Sequence, residues 1–126
     1  MQPIAFFCFV VATLAALTGM SMGIGMGIAQ DFTLAPAHAH LNLLGWVTMM
    51  LYGLYYRGAT RASRLAWVQV GCATMGFPLM AGGLALLLGG DASISGYAET
   101  SIIAGSLLTI GAMALFLVTL IRTRRA

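Results

Sequence analysis

The sequence predicts an all-α integral membrane protein built as a four-helix bundle. Of its 126 residues, 60% are hydrophobic and only 7% are charged. The mean hydropathy of +0.96 is far above that of a soluble domain. Four apolar runs are each long enough to cross a bilayer core, which takes roughly 20 helical residues. Since that core offers no water to backbone polar groups, runs of this length and pattern must be helical.

The four helices are expected at about 3–28, 36–56, 65–89 and 100–121, in one transmembrane domain that spans residues 1–126. The first run has no basic segment before it and no evident cleavage motif, so it is interpreted as a retained helix. The second helix should begin near Pro36, because proline suits a first helical turn. Glu99, Thr100 and Ser101 are expected to cap the start of the fourth helix.

The charged residues predict an orientation. The six basic residues are all arginines, and they occur only in the second connection and at the end of the chain: Arg57, Arg61, Arg64, Arg122, Arg124 and Arg125. The other two connections carry only acids. The positive-inside rule then places both termini in the cytoplasm. We expect a bacterial inner-membrane protein whose outer end is acidic, and the net charge of +3 does not indicate a nucleic-acid partner.

Both histidines of the chain lie in the segment PAHAHLNLLGW, residues 36–46. An ionisable side chain at the mouth of a membrane helix is a candidate functional group, because it is costly to leave unsatisfied. His38 and His40 are two residues apart, which on an α-helix separates them by about 200°. They are therefore poorly placed to chelate one ion together and well placed to serve two sites, one on each flank. Asn42, four residues after His38, can orient that ring or a ligand above it.

The motif HAHLNLLGW, at the outer start of an inward-running helix, resembles the His-x-His helix of the catalytic subunit of heme-copper oxidases and the related nitric oxide reductases. In that family twelve helices form three arcs of four. The motif lies on the second helix of the third arc, and its two imidazoles ligate different hemes on opposite flanks. The resemblance implies that His38 and His40 are axial heme ligands in a chain that corresponds to one arc.

The same resemblance implies a homotrimer, in which three copies replace the three arcs. His38 of one protomer and His40 of its neighbour would hold one heme at each interface. The chain has no CxxCH motif, so the heme would be a non-covalent heme b. Ligation by both rings favours electron transfer with an unknown redox partner, whereas ligation by one ring leaves a site for oxygen or nitric oxide. The chain lacks the family's His-His pair and a third histidine. No catalytic residue is therefore assigned, and full reductase activity is not expected.

Two other functions fit the sequence. In the first, the chain is a membrane protein that binds copper or zinc at its outer mouth. Imidazoles and carboxylates of several protomers would bind the ion, and the candidate residues are His38, His40, Asp31, Asp91 and Glu99. In the second, the chain is a cofactor-free structural or accessory subunit. The absence of a nucleophile–base pair, a phosphate-binding loop or a Cys/His cluster from the sequence favours this second function.

Overall fold

The chain folds entirely into helices and turns over the residues described by the computed structural model, which are 1–59, 63–90 and 92–124. The elements in order are α1 (Pro3–Ala29), α2 (Ala35–His40), a π-helical segment (Leu41–Thr48), α3 (Met49–Arg57), α4 (Arg64–Gly89), a 3₁₀ turn (Ala92–Ile94) and α5 (Ser95–Arg124). No strand occurs in these three ranges. The predicted all-α class is confirmed.

The second helix is continuous but not uniform. The first residue of the π-helical segment, Leu41, has right-handed helical angles (φ −60°, ψ −44°). So does its last residue, Thr48 (φ −65°, ψ −44°). Residues 35–57 therefore form one rod, here called the histidine helix, and the described chain has four helices as predicted. By length and composition, α1, α4 and the 92–124 helix can each cross a membrane. The histidine helix is divided into segments of 6, 8 and 9 residues.

The histidine helix packs between α1 and α4, and α5 packs along α4. Gly45 marks the point where the three helices meet. A Cβ atom at Gly45 would lie 2.8 Å from the Cβ of Ala15 on α1 and 2.9 Å from the ring of Phe77 on α4. Only a residue without a side chain fits there, so this glycine fixes how closely the histidine helix approaches both neighbours.

Glycines also bring the backbones of α4 and α5 together. A Cβ at Gly83 would lie 2.9 Å from the carbonyl oxygen of Ala98, and one at Gly105 would lie 2.7 Å from the carbonyl oxygen of Gly76. The hydroxyl of Ser101 donates a hydrogen bond to the carbonyl oxygen of Leu79, 2.8 Å away. Close backbone approach and interhelical hydrogen bonds are the contacts that hold helices together where lipid removes the hydrophobic driving force.

The two ends of the bundle differ in charge and in packing. One end, here called the arginine end, carries Arg57, Arg64, Arg122 and Arg124, and the described acidic side chains, Asp31 and Glu99, lie at the other, histidine end. The buried core is richest toward the arginine end, where the Phe116 ring packs against those of Tyr52, Tyr55 and Tyr56. At the histidine end Ile28 is 81% exposed within the chain.

Some predicted boundaries are corrected. The fourth helix begins at Ser95 rather than near residue 100, and it continues to Arg124 rather than 121. The predicted cap is wrong for the same reason: the Thr100 hydroxyl bonds the Gly96 carbonyl one turn earlier, inside the helix. Pro36 does lie in the first turn of α2, as predicted. Three residues named in the charge analysis lie outside the described residues: Arg61, Asp91 and Arg125.

Candidate functional site

The two histidines lie in the last turn of α2, just before the helix widens into the π-helical segment. Both side chains are partly buried. Because residues 35–40 are α-helical, the predicted separation of about 200° between His38 and His40 applies to the folded chain. The two rings therefore lie on opposite flanks of the histidine helix.

His38 lies against α1. A Cβ at Gly23 would be 3.0 Å from Cε1 of the His38 ring and within 3.7 Å of both ring nitrogens. One turn earlier on α1, a Cβ at Gly19 would lie 2.5 Å from the Asn42 amide. Gly19, Gly23 and Gly27 recur every four residues and form a glycine stripe on α1, and the histidine helix packs on the first two. A Cβ at Gly27, one turn further, would meet nothing within 4 Å among the described residues. The stripe is packed in its first part and open at the histidine end.

Asn42 supports the backbone at His38 more than it supports the ring. Its amide nitrogen donates a hydrogen bond of 2.9 Å to the His38 carbonyl oxygen. The same nitrogen is 3.4 Å from Nδ1 and 3.4 Å from Nε2 of His38, so it is aligned with neither lone pair. Either ring nitrogen of His38 can therefore still form a stronger hydrogen bond or a bond to a metal.

His40 is fixed by its own helix. Its Nδ1 lies 2.8 Å from the carbonyl oxygen of Pro36. A carbonyl oxygen only accepts hydrogen bonds, so this contact assigns the proton to Nδ1 and leaves the lone pair on Nε2. A ring that donates one N–H to a backbone carbonyl and presents its other nitrogen is the usual state of a metal-ligating histidine.

The π-helical segment directly after the histidines is a feature that the sequence analysis missed. Its wider winding is seen at Thr48, whose hydroxyl donates to the carbonyl oxygen of Leu43 five residues earlier, at 2.7 Å. Helical segments of this kind occur frequently at functional sites. The segment contains Gly45, where α1 and α4 close in on the histidine helix, and that glycine was the available sequence signal.

The described acids at the histidine end, Asp31 and Glu99, do not converge on the histidines. One carboxylate oxygen of Asp31 accepts from the Thr33 backbone N–H at 3.0 Å and from its hydroxyl at 2.6 Å. These two hydrogen bonds hold the pKa of Asp31 below its ordinary value. Glu99 is exposed on α5. Within the described ranges, no three His, Cys, Asp or Glu side chains are grouped to hold a metal ion. The copper or zinc hypothesis therefore depends on side chains from several protomers.

A second polar cluster, at the arginine end, was also missed. The Tyr56 hydroxyl donates to Oε1 of Gln69 at 3.0 Å, and Gln69 is fully buried. Its Nε2 has no hydrogen-bond partner within the described part of the chain. The Tyr55 hydroxyl donates to Thr123 on α5 at 3.2 Å, beside a cavity of about 830 Å³. A glutamine near the start of the third apolar run was the signal for this cluster, since a polar residue in a membrane helix is costly to leave unsatisfied.

No protein-family model, curated protein or solved structure matches the chain. The similarity to heme-copper oxidases therefore stays a prediction that depends on the residues of the histidine helix.

Proposed function

We propose that the protein is a membrane-bound b-type heme protein that transfers electrons, with His38 and His40 as heme ligands at the subunit interfaces of a homotrimer. The observation that carries the proposal is the pair of partly buried imidazoles on opposite flanks of one helix. Three helices able to cross a membrane support the membrane setting. Following the positive-inside rule, we assign the arginine end to the cytoplasm and the histidine end to the outer face of a bacterial inner membrane.

The donor set fits heme iron. His40 presents Nε2 because its Nδ1 is held by the Pro36 carbonyl, so the ring is oriented before any ligand binds. His38 has ring nitrogens without an aligned partner, and Gly23 gives the ring room against α1. When bound, a heme supplies reversible one-electron chemistry at its iron. The protein would supply both imidazole ligands, keep the ring orientations fixed and limit access by water.

The opposite directions of the two rings imply that more than one chain takes part. His38 and His40 of one helix cannot both reach a single iron from opposite sides of that helix. Each heme would therefore bind His38 of one protomer and His40 of the next, and a closed ring of protomers satisfies every histidine. The resemblance to one of three four-helix arcs favours three protomers. With two histidines on each iron, no coordination position is left for oxygen or nitric oxide, so electron transfer is favoured over gas reduction.

An absorption spectrum of the detergent-purified protein, oxidised and then reduced with dithionite, tests heme binding. We expect a sharp α-band in the reduced wild type and its loss in both His38→Ala and His40→Ala. Gly27→Ala is a matched control on the open part of the stripe and should keep the wild-type spectrum, because its Cβ meets nothing. A colourless wild type after expression with added heme would refute the proposal. Copper or zinc found by metal analysis of that colourless protein would support the metal-binding alternative.

Co-expression of the two histidine variants tests the shared interface. Each variant alone has an incomplete ligand pair at every interface. In a mixed trimer, an interface between intact His38 of one protomer and intact His40 of the next regains both ligands. With equal amounts and random assembly, about a quarter of the interfaces should recover. Absence of any recovery in trimers purified through two different affinity tags, one on each variant, would exclude ligation between protomers.

A further inference from the structure

The arginine end contains a cavity of about 830 Å³ that is unrelated to the histidines. It lies between the end of α3, the start of α4 and the end of α5. Its polar and charged lining residues include Tyr55, Ser63, Arg64, Thr119, Arg122 and Thr123. Two guanidinium groups and several hydroxyls around one cavity form a site for an anion with several oxygen acceptors.

The charge around this cavity is not balanced by the described side chains. Asp31 and Glu99, the described acidic residues, lie at the opposite end of the bundle. The cavity also contains the first turn of α4, whose backbone dipole adds positive potential there. Ser63 caps this turn by accepting a hydrogen bond from the Ala66 N–H at 3.1 Å. All of these features favour a negatively charged group.

An apolar groove of about 490 Å³ adjoins the cavity on the outer surface of α5. It is lined by Ile110, Met113, Ala114, Phe116, Leu117 and Leu120. The Phe116 ring, in the groove, lies 5.1 Å from the ring of Tyr55, in the cavity wall, so the two spaces share an aromatic border. From Ile110 to Leu120 the groove runs about 15 Å along the helix, which is roughly half of a 30 Å hydrocarbon core and so the depth of one leaflet.

We propose that the cavity binds the phosphate headgroup of an anionic phospholipid, with an acyl chain lying along the α5 groove. The arginines provide the charge complement, and basic pockets between membrane helices are known lipid headgroup sites. A free phosphate compound would use the cavity but not the groove. The apolar groove below the charged cavity, at a depth that matches one leaflet, favours a lipid over a soluble anion.

Lipid binding can be measured on the full-length protein in neutral detergent, by thermal unfolding or native mass spectrometry. The probes are phosphatidylglycerol, phosphatidylcholine and glycerol phosphate. We expect phosphatidylglycerol to raise the unfolding temperature, with little effect from the other two. The double variant Arg64→Gln/Arg122→Gln should bind phosphatidylglycerol at least about tenfold more weakly, because it removes both arginine side chains that line the cavity.

The matched control is Arg57→Gln/Arg124→Gln. It removes the same charge from the same end but does not line the cavity, so it should keep most of the affinity. A second variant, Ala114→Phe, fills the exposed groove and should weaken binding of long-chain but not short-chain phosphatidylglycerol. Equal stabilisation by phosphatidylcholine would overturn the proposal, as would an equal loss in the control pair. Stabilisation by glycerol phosphate that matches phosphatidylglycerol would show that the ligand is a soluble phosphate.

Discussion

Replacing Gly105 by alanine tests a close backbone contact between α4 and α5. The added Cβ would lie 2.7 Å from the Gly76 carbonyl oxygen and 2.9 Å from the Cα of Met80, both backbone atoms of α4. Backbone atoms inside a helix cannot rotate away as a side chain can, so α4 and α5 must move apart. Overpacking of this kind costs about 1–3 kcal/mol.

Gly111→Ala on the same helix is the matched control, because a Cβ there meets nothing within 4 Å. Each substitution gains roughly 0.5–1 kcal/mol of helix propensity, so this gain cancels when the two variants are compared. The difference between them should then be the overpacking cost alone. At about 1–3 kcal/mol, it corresponds to roughly a 5- to 150-fold difference in the unfolding equilibrium constant.

The assay is equilibrium unfolding of both variants in mixed detergent micelles, followed by circular dichroism. We expect Gly111→Ala to equal or exceed the wild type in stability and Gly105→Ala to fall below it. If the two variants unfold at the same detergent composition, α4 and α5 do not approach each other as closely as the structure indicates.

Three further variants test local contacts. Tyr56→Phe should lower the free energy of unfolding by about 1–3 kcal/mol in the same assay, because it leaves the buried Gln69 amide without its hydrogen bond; no change would show that the amide has another partner. Ser63→Ala removes the N-cap of α4 and should cost about 0.5–2 kcal/mol, an effect that Ser63→Asp should largely avoid. The hydrogen bonds to Thr33 lower the pKa of Asp31 in the folded protein. The ionised carboxylate therefore stabilises its turn fully at pH values above the pKa of Asp31 in the unfolded chain, and this contribution is lost as the pH falls through the lower pKa of the folded state. Hydrogen exchange at the Thr33 amide should therefore show a loss of protection on acidification that Asp31→Asn does not show, and equal pH dependence in both proteins would contradict this assignment.

The sequence was sufficient to predict the four helices, because the length of an apolar run determines whether it forms a membrane helix. A membrane helix satisfies its own backbone, so its existence follows from composition alone. The ends of a membrane helix do not follow from composition. The helix that begins at Ser95 includes polar residues that a hydropathy window excludes, because a polar residue can extend a helix beyond the apolar region. The position of Pro36 was predictable because the constraint is local to its first turn.

The features that were not predictable depend on contacts between helices. The π-helical segment contains Gly45, where α1 and α4 approach the histidine helix, and the sequence shows the glycine but not the two helices that pack against it. The partnership of Tyr56 with Gln69 joins residues of α3 and α4 across the core. The spacing of His38 and His40 could be used directly because both lie in one short α-helix, so their relative direction needs no knowledge of the neighbouring helices.

A last test compares a glycine that packs between α4 and α5 with a glycine that packs on His38, and so relates the fold to the proposed function. Gly105 packs on α4, whereas Gly23 packs on the His38 ring itself. Changes in the free energy of unfolding add when the two altered sites share no contacts, and they do not add when the sites are in contact. The stability cost of Gly105→Ala should therefore be the same in heme-loaded and heme-free protein. The cost of Gly23→Ala should be larger in the loaded protein, because its Cβ shifts the ring of His38, which we propose as a heme ligand. Equal costs for Gly23→Ala in the two states would show that His38 does not bind the heme.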